Sequence, residues 1–447
     1  MAQVAGARCH ENRAPVPRVG HNVMHHAAEQ NGAQEFPGAT RAIRPQDEGT
    51  FASSDENGQS AGGRCSFFQL GWLHRVAFII MSARLTNRQS IAARLREQTK
   101  WCRRLGSELY ANLLEQAAVD VERGGPTWAV LRGREGDPPR SALALRFLGA
   151  VHRLVLDGRA PELANYYASV GGDPGREELW AAFRNTLESH CETLRSLALR
   201  PVQTNEVGRS AALLGGFLLV AQATGLPLRL MEIGASAGLN LRWDCYRYEA
   251  AGAAWGDPDS PVRFSNVFDG RPPLEITAQV AERSGCDVAP LDPNSAEDQL
   301  TLLSYIWPDQ LERLERLRSA LEIARRVPAL IEAADAPEWL AARLHDPNSG
   351  TARVVFHSVV MPYLSRQGRE RVRKLLERAG AGATSDAPLA WLSMEAGEDQ
   401  TDIRLTLWPG GTERLIARAG YHGYPVRWLA GFQPVLGRQG CPPYRRS

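Results

Sequence analysis

The chain shows no regular hydrophobic pattern over its first 65 residues and becomes helical only from about residue 88. Residues 1–65 are rich in Gly, Ala, Asn, Gln and Ser, a composition typical of disorder. The apolar stretch 66–80 is shorter than the roughly 20 residues that a membrane-spanning helix needs, and it lacks the cleavage site of a signal peptide. We therefore interpret residues 1–85 as disordered or as a misannotated extension, with Met81 as the natural start.

Between residues 86 and 202 the apolar residues recur at spacings of three and four, and no stretch alternates as a strand does. In SELYANLLEQAAVDVERGG, Ser107 is typical of a helix N-cap, and Gly124 with Gly125 is typical of a helix end. Segments with the same period are SIAARLREQTKWCRRLG, SALALRFLGAVHRLVLDG and REELWAAFRNTLESHCETLRSLAL. The pattern predicts an all-helical N-terminal domain over 86–202.

After Pro201 helices and strands alternate. QTNEVGRSAALLGGFLLVAQATG predicts a helix capped by Thr204 or Asn205, and LPLRLMEIG predicts the strand that follows it. Later helices are predicted at PLEITAQVAERSG, at 295–327 with a break near Pro308, at PEWLAARLHD and at RQGRERVRKLLERAGA. Later strands are predicted at CDVAPLDP, ALIEAADA, RVVFHSVVMPYL, APLAWLSMEA, IRLTLWPGG and RLIARAGYHGYPVRWLA. The aromatic stretch RWDCYRYEAAGAAWGDPDSPVRF predicts an inserted β-hairpin or ordered loop.

Strands that alternate with helices predict a parallel, doubly wound sheet. The fold class predicted from the pattern is therefore α/β, with a doubly wound domain over 203–435 behind the helical domain and a short tail at 436–447. The last two strands lie on either side of Pro409, Gly410 and Gly411, which predicts a C-terminal β-hairpin.

The composition is that of an ordinary soluble globular protein. The 447 residues are 43% hydrophobic and 23% charged, and the formal net charge of +2 predicts neither a nucleic-acid nor a membrane partner. Seven cysteines are dispersed without a C-x-x-C pair. No metal site is therefore predicted, and the cysteines are expected to be free thiols in a reducing cytoplasm.

The stretch MEIGASAGLN, residues 231–240, supports two incompatible interpretations. As G-x-S-x-G it is the nucleophile elbow of a serine hydrolase, with Ser236 as the attacking group. Glu395 and His422 follow in the order that such a triad needs. However, an elbow normally follows a central strand, whereas more than a hundred residues before Ser236 are predicted to be helical. No oxyanion-hole loop of the His-Gly-Gly kind lies upstream.

As E-x-G-x-S-x-G the same stretch is a glycine-rich loop that lets a nucleotide-containing cofactor approach the backbone. The strand carries Glu232 to the carboxyl edge of the sheet, where ligands bind in open α/β folds. Gly234 allows the tight turn and Gly238 allows the next helix to pack closely, while Ser236 is a small residue between them. Asn240 closes the stretch and is included among the cofactor-binding candidates.

From about residue 205 to 430 the order of elements resembles class I methyltransferases that bind S-adenosylmethionine. Their Rossmann-like sheet ends in an antiparallel hairpin that places one strand between two others. The resemblance implies S-adenosylmethionine as the cofactor, and it implies that Asp335 and Ala336 contact adenine. It further implies that an acid after the second strand, Asp287 or Asp292, holds the ribose hydroxyls. The alternative for both aspartates is a turn or cap residue.

The chain from about residue 95 to 430 is also similar to a bacterial family of uncharacterised proteins, domain of unknown function family 2332. The similarity is carried by WCRRLGSELYANLL, QTNEVGRSAALL, LMEIGASAGLNLRWD, LLSYIWPDQLERL, VVFHSVVMPYL and LTLWPGGTERL. It implies a methyltransferase-like fold and supplies no known substrate.

Candidates for chemistry on the acceptor lie at the end of the strand RVVFHSVV. His357 and Ser358 are predicted as catalytic residues, because acceptor-side residues often lie there in the resembled fold and an imidazole can titrate near neutrality. A base is needed only where the acceptor must lose a proton. The alternative for His357 is a side chain hydrogen-bonded to the sheet edge.

Two polar segments are predicted to bind the substrate. They contribute Gln203, Asn205, Glu206 and Arg209 before the first strand, and Arg242 and Tyr246 in the aromatic insertion. The alternative for the first segment is a helix cap, with Glu206 and Arg209 as a helical ion pair. The alternative for the second is a cover over the sheet edge.

The prediction is therefore a cytoplasmic methyltransferase that uses S-adenosylmethionine and acts on an unknown small-molecule substrate. One alternative is a nonenzymatic cofactor-binding or scaffold protein of the same fold, because a fold does not fix a function. The other is a serine hydrolase that uses Ser236.

Overall fold

Helices make up the first third of the described chain. In this computed structural model the described residues are 87–175, 177–345 and 349–429, and all belong to one compact unit. The predictions for the extension 1–85 and for the tail 436–447 lie outside them. The helices before the sheet are α1 (Asn87–Arg104), α2 (Glu108–Arg123), α3 (Pro126–Leu131), α4 (Leu143–Leu156), α5 (Pro161–Ala164), α6 (Leu179–Ser189) and α7 (Cys191–Leu197).

Helix α2 has the ends that its sequence predicts. The Ser107 side chain accepts a hydrogen bond from the Tyr110 N–H, which satisfies one of the free donors of the first turn. At the other end Gly124 takes a left-handed conformation with φ of 77°, a conformation that glycine adopts without a Cβ clash. Apolar residues of α1, α2, α4 and α6 pack into one core, so this part is stabilised mainly by burial.

The strands and the remaining helices alternate along the rest of the chain. The strands are β1 (Leu228–Ile233), β2 (Arg247–Ala250), β3 (Ala253–Trp255), β4 (Arg263–Phe264), β5 (Phe268–Asp269), β6 (Val280–Asp287), β7 (Leu330–Ala333), β8 (Ala352–Ser358), β9 (Leu389–Ala396), β10 (Thr401–Trp408), β11 (Thr412–Ala419) and β12 (Val426–Trp428). The helices are α8 (Arg209–Thr224), α9 (Ala296–Ser304), α10 (Leu311–Arg326), α11 (Ala336–Arg343) and α12 (Arg366–Ala381). No helix of the described ranges is both long and apolar enough to cross a membrane.

Nine strands form one sheet in the order β5-β12-β11-β10-β9-β8-β1-β6-β7. Strands β9, β8, β1, β6 and β7 pair in parallel. From β1 the chain winds outward to β6 and β7, and it then crosses to the other side of β1 to form β8 and β9. The direction of winding therefore reverses between β1 and β8, and ligands of open α/β sheets bind outside the carboxyl ends of the strands at such a point.

Both faces of the central strands are covered. Leu230, Val354 and Phe356 pack in the core that includes the residues of α8. Met231 and Val355, which point to the opposite face because strand side chains alternate, pack in a second core with residues of α11 and α12. The predicted α/β class is confirmed: the protein is a mixed α/β protein with a large central sheet.

The sheet ends in an antiparallel meander. Strand β10 pairs with β9, and β11 pairs with β10 across the turn that contains Pro409, Gly410 and Gly411, as the sequence predicts. Strands β9 to β12 lie side by side in the order of the chain. The resemblance to methyltransferases implies a final hairpin that inserts one strand between two others. The described strands β9 to β11 show no such insertion, because they pair in the order of the chain.

Two predicted elements are wrong in detail. The segment PLEITAQVAERSG, predicted to be helical, instead supplies the first part of strand β6, because pairing with β1 and β7 overrides a weak local pattern. Helix α8 begins only at Arg209 after Gly208, and no side chain caps it. Thr204 and Asn205 therefore lie in an irregular segment before the helix and are not its N-cap.

The aromatic insertion forms the predicted hairpin. Strands β2 and β3 pair antiparallel, and β4 pairs with β2 to complete a small three-stranded sheet. Trp243, just before β2, lies between Phe217 of α8 and Trp255 of β3, with ring centroids 4.6 and 4.9 Å apart. The insertion is thus part of the core over the sheet.

Candidate ligand-binding site

A cavity of about 1010 Å³ lies at the carboxyl ends of β1, β6, β7 and β8. The strand ends contribute Glu232, Asp287, Asp335 and Ser358 to its lining, and the helical part contributes apolar and aromatic side chains such as Trp101. This size and this mixture of an apolar wall with a few polar groups are typical of sites for cofactors and small molecules. The cavity also lies where the winding of the sheet reverses.

The glycine-rich loop that follows β1 forms a tight turn against β6. Gly234, Ser236 and Gly238 all have positive φ values, of 69°, 52° and 68°. The N–H groups of Gly234 and Ala235 both donate to the Cys286 carbonyl, at 2.9 and 3.0 Å. A Cβ on Gly234 would lie 2.5 Å from the Val360 side chain, so this glycine is required by close approach as well as by its φ.

Ser236 connects this loop to two neighbouring segments. Its N–H donates to Asp287 Oδ2 at 2.9 Å, and its hydroxyl donates to Gln203 Oε1 at 2.7 Å. The segment before α8 also bonds to the loop through Asn205, whose Oδ1 accepts from the Leu239 N–H at 2.9 Å. Gln203 and Asn205 thus hold the loop from outside, and both line the cavity.

The structure does not assemble the hydrolase triad. The Ser236 hydroxyl bonds to an amide and has no histidine partner among the described residues. Glu395 accepts from Nδ1 of His357, and the His422 ring lies instead against Trp307, with centroids 5.6 Å apart. Among the described residues, no histidine or carboxylate forms a hydrogen bond with the Ser236 hydroxyl.

Glu232 is a buried carboxyl without a full set of partners. It is 2% exposed, lines the cavity, and its Oε2 has no hydrogen-bond partner. Burial raises the pKa of this carboxyl well above its usual range, and the nearby Arg242 and Asn240 offset the shift only in part. Asn240, also in the lining, accepts from the Ser210 hydroxyl at 2.7 Å. Glu232 and Asn240 can thus offer both donors and acceptors to a ligand.

The ends of β6 and β7 each bring an aspartate to the cavity. Both oxygens of Asp287 accept backbone N–H groups, from Ser236 and from Ala289 at 3.0 Å, and leave further lone pairs. Asp335 begins helix α11, but its side chain makes no capping hydrogen bond, and the small Ala336 follows it in the lining. Asp292 is not in the lining and accepts from the Asn294 N–H in a turn.

Arg209 is a cation that faces the cavity. Its Nη1 donates to the Ser358 carbonyl at 3.0 Å and its Nε donates to the Tyr421 carbonyl at 3.3 Å. The expected ion pair with Glu206 does not form. Instead Glu206, 2% exposed, pairs with Arg313, with Oε2 2.7 Å from Nε. Burial alone would raise the pKa of Glu206, but Arg313 and the Gly208 N–H lower it to about 2.

Five predicted site residues lie outside the cavity lining, in addition to Asp292: Glu206, Gly238, Arg242, Tyr246 and His357. His357 is 1% exposed and uses both ring nitrogens, with Nδ1 2.7 Å from Glu395 Oε1 and Nε2 accepting from Trp391 Nε1 at 3.0 Å. This geometry favours the alternative of a histidine bonded at the sheet edge.

Arg242 and Tyr246 bind the backbone. Arg242 donates to the carbonyls of Ala237 and Gly238, and the Tyr246 hydroxyl donates to the Leu239 carbonyl at 2.6 Å. Both side chains therefore support the glycine loop through its carbonyls, and neither faces the cavity. A Cβ on Gly238 would lie 2.8 Å from Ile331 Cδ1, so this glycine packs closely against β7. Gly238 is not in the cavity lining.

The structure adds site residues that the pattern analysis does not single out. They are aromatic and lie in the lining: Trp101, Tyr110, Tyr305, Trp307, Tyr363 and Tyr421. His422, which the sequence suggests only as a member of the hydrolase triad, also lies in the lining. Burial and the nearby Arg313 lower its pKa to about 3. The only sequence signal for the wall is the aromatic content of WCRR, SYIWP and YHGYP, which a buried core would also show.

The fold is that of a mixed α/β protein with a large central sheet, and a cavity lies at the carboxyl edge of its parallel strands. The chain belongs to the family of uncharacterised proteins conserved in bacteria, DUF2332, which matches residues 92–428. No curated protein and no solved structure matches the chain. In the described ranges no group of three or more His, Cys, Asp or Glu residues could hold a metal ion. The function is therefore argued from the cavity itself.

Proposed function

We propose that the protein is an S-adenosylmethionine-dependent methyltransferase that acts on a small-molecule acceptor. The observation that supports this is the convergence of a glycine-rich loop and three strand-end acids, Glu232, Asp287 and Asp335, on one cavity. In doubly wound folds the first loop receives the cofactor, and acids on the following strands bind its hydroxyl and amino groups.

The residues fit this cofactor. Asp287 has free lone pairs for ribose hydroxyls. Asp335 has an unused carboxylate beside the small Ala336, which suits the amino group and the flat face of adenine. The orphan oxygen of Glu232 suits the ammonium group of the methionine part, because a buried polar atom without a partner is costly unless a ligand satisfies it.

When bound, S-adenosylmethionine would supply an electrophilic methyl group. The contribution of the chain is to position an acceptor against this methyl group, between the strand ends and the helical part that form the cavity wall. His422 is the histidine of the lining, and its low pKa makes it a weak proton acceptor. The proposed acceptor is therefore one that needs little help in losing a proton.

Thermal unfolding of the full chain with S-adenosylhomocysteine, the demethylated product, tests the proposal. Ligand at a hundred times its dissociation constant should stabilise the protein by about 2.7 kcal/mol, a rise in Tm of a few degrees at this size. We expect Glu232→Gln and Asp335→Asn to lose most of this rise. Asp292→Asn, at an exposed aspartate of the same edge outside the cavity, is the matched control and should keep it.

Two outcomes would contradict the proposal. The first is a folded wild-type protein whose Tm does not respond to millimolar S-adenosylhomocysteine or S-adenosylmethionine. The second is a response that all three variants retain, which would place the ligand elsewhere.

A further inference from the structure

Arg209 brings a positive charge into the cavity without a matching negative charge. It forms no ion pair with any described residue, and its Nη2 has no hydrogen-bond partner there. Desolvation lowers the pKa of this guanidinium, which lies partly buried in the cavity wall. An anion that binds to a partly buried cation without a counter-ion stabilises it.

Of the acids near Arg209, Glu232 forms no ion pair with it, and Glu206 and Glu395 already have other partners. Glu206 is held by Arg313 and by the Gly208 N–H. Glu395 accepts from His357 and from the N–H groups of Val360 and Met361, at 2.7, 2.9 and 3.2 Å. Both carboxylates attract Arg209 from a distance, but neither contacts its guanidinium. The free edge at Nη2 is thus left for a ligand.

The backbone that holds Arg209 is strained. Val359 has a φ of 55°, which is rare and strained for a β-branched residue. This conformation is fixed by its N–H, which donates to the Met394 carbonyl at 2.8 Å, and by the two N–H groups that Glu395 binds. The strained turn sets the Ser358 carbonyl against Nη1, so that the guanidinium keeps one orientation.

Aromatic rings surround the same end of the cavity. Tyr421, whose carbonyl accepts from Arg209, packs edge-on against Trp101 with centroids 5.5 Å apart. Next to it Trp307 contacts the His422 ring, and Tyr363 also lies in the lining. Leu199 and Val288 are exposed apolar side chains of the lining, 53% and 71% exposed. An apolar, flat ligand body fits this wall.

From these observations we infer that the small molecule bound beside the cofactor site is an aromatic carboxylate, with its carboxylate on Arg209 and its ring among Trp101, Trp307 and Tyr421. A guanidinium pairs with a carboxylate through parallel N–H···O bonds, which fixes the orientation of a planar ligand. The role of this molecule as a methyl acceptor rests on the proposed function, whereas its binding to Arg209 does not.

Calorimetric titration of the full chain with 2-naphthoate and with 2-naphthamide tests the inference. The two probes have the same shape and differ in charge. We expect 2-naphthoate to bind at least tenfold more tightly than the amide, as charge-assisted hydrogen bonds predict. Arg209→Gln should remove this preference and leave the amide unchanged, and Arg209→Lys should keep part of it. Arg140→Gln, at an exposed arginine of the same lining, is the matched control.

The inference is overturned if the wild-type protein binds acid and amide equally, if it binds neither at millimolar concentration, or if Arg140→Gln and not Arg209→Gln removes the preference. The comparison of the two probes on the wild-type protein needs no variant and stands even if Arg209→Gln does not fold. Titration with S-adenosylhomocysteine separates the two proposals. If it binds while 2-naphthoate does not, only the present inference fails; the reverse result removes only the proposed cofactor.

Discussion

Glu206 and Glu232 are equally buried, at 2% exposed, yet their environments are opposite. Glu206 contacts Arg313 at 2.7 Å and accepts the Gly208 N–H at 3.1 Å, and its pKa is lowered to about 2. Glu232 has an oxygen without a partner, and burial raises its pKa well above its usual range. Both acids lie in segments that surround the same glycine loop.

The difference shows that burial alone does not decide what a carboxyl does. Desolvation acts on both acids in the same direction, and only the ion pair reverses its effect at Glu206. Glu206 is satisfied within the protein and joins the segment before α8 to helix α10. Glu232 is not, so its missing partner is expected to come from a ligand. The following predictions test this contrast.

The largest effect is expected from Glu206→Gln. The change leaves Arg313, 5% exposed, without its counter-ion, and a broken buried pair costs about 3–5 kcal/mol. Urea unfolding at neutral pH measures the loss. Glu122→Gln, which breaks a half-exposed pair with Arg96, is the control and should cost about 1 kcal/mol or less. Equal losses in the two variants would mean that Glu206 is not a structural ion pair.

The second prediction concerns acid unfolding. The folded-state pKa of Glu206 is below its unfolded value, so its stabilisation is present above about pH 4.3 and is lost as pH falls toward 2. The shift corresponds to on the order of 3 kcal/mol. Urea unfolding at pH 7, 4 and 3 should show that the difference between the wild type and Glu206→Gln shrinks as the pH falls. A difference that is constant with pH contradicts the lowered pKa.

Glu232 should show the opposite pH dependence, with a smaller effect. Its folded-state pKa is raised, so above its unfolded pKa near 4.3 the native state binds more protons and stability falls as pH rises. Glu232→Gln removes this pH-dependent loss of stability. Without ligand, the variant should therefore gain on the wild type as the pH rises from 5 to 6, by at most about 1.4 kcal/mol. A difference that stays constant over this range would show that Glu232 is already ionised in the native state.

Much of the fold could be predicted from sequence because its signals are local. Strand β1, the turn at Gly234, the caps of α2 and the hairpin at Gly410 follow from patterns within a few residues. Only the end of strand β6, at Cys286 and Asp287, could be predicted as a strand, because pairing with β1, more than fifty residues away, overrides the helix-like pattern of its first part. Distant contacts also explain why α8 begins later than predicted. The polar residues Gln203 and Asn205 before it bond to the glycine-rich loop instead of capping the helix.

Only part of the site could be predicted, for the same reason. The strand-end acids Glu232 and Asp335 follow from a strand followed by a loop or helix. The partner of Glu206 lies 107 residues away, so the nearer Arg209 was the only pairing that sequence could propose. His357 illustrates the converse, since its place at a strand end is predicted correctly but its contacts with Glu395 and Trp391 are not visible in sequence.

The smallest effect is expected at Ser236, which joins the segments of the two carboxyls. Its hydroxyl bonds to Gln203 at 2.7 Å, while its φ of 52° favours glycine. Ser236→Ala and Ser236→Gly both lose the hydrogen bond, but the glycine relieves the left-handed conformation, so it should be about 0.5–1 kcal/mol more stable than the alanine. Urea unfolding of both variants measures this order.

The same pair of variants decides whether Ser236 has a chemical role. If the residue only shapes the loop, both variants should bind S-adenosylhomocysteine within a few-fold of the wild type, and a fluorophosphonate should not label the wild-type protein, because no base contacts the hydroxyl. Labelling of the wild type that both variants lose would identify Ser236 as a nucleophile. Glu232 would then be a buried acid behind a hydrolase elbow, and its missing partner would have to be sought in a different ligand.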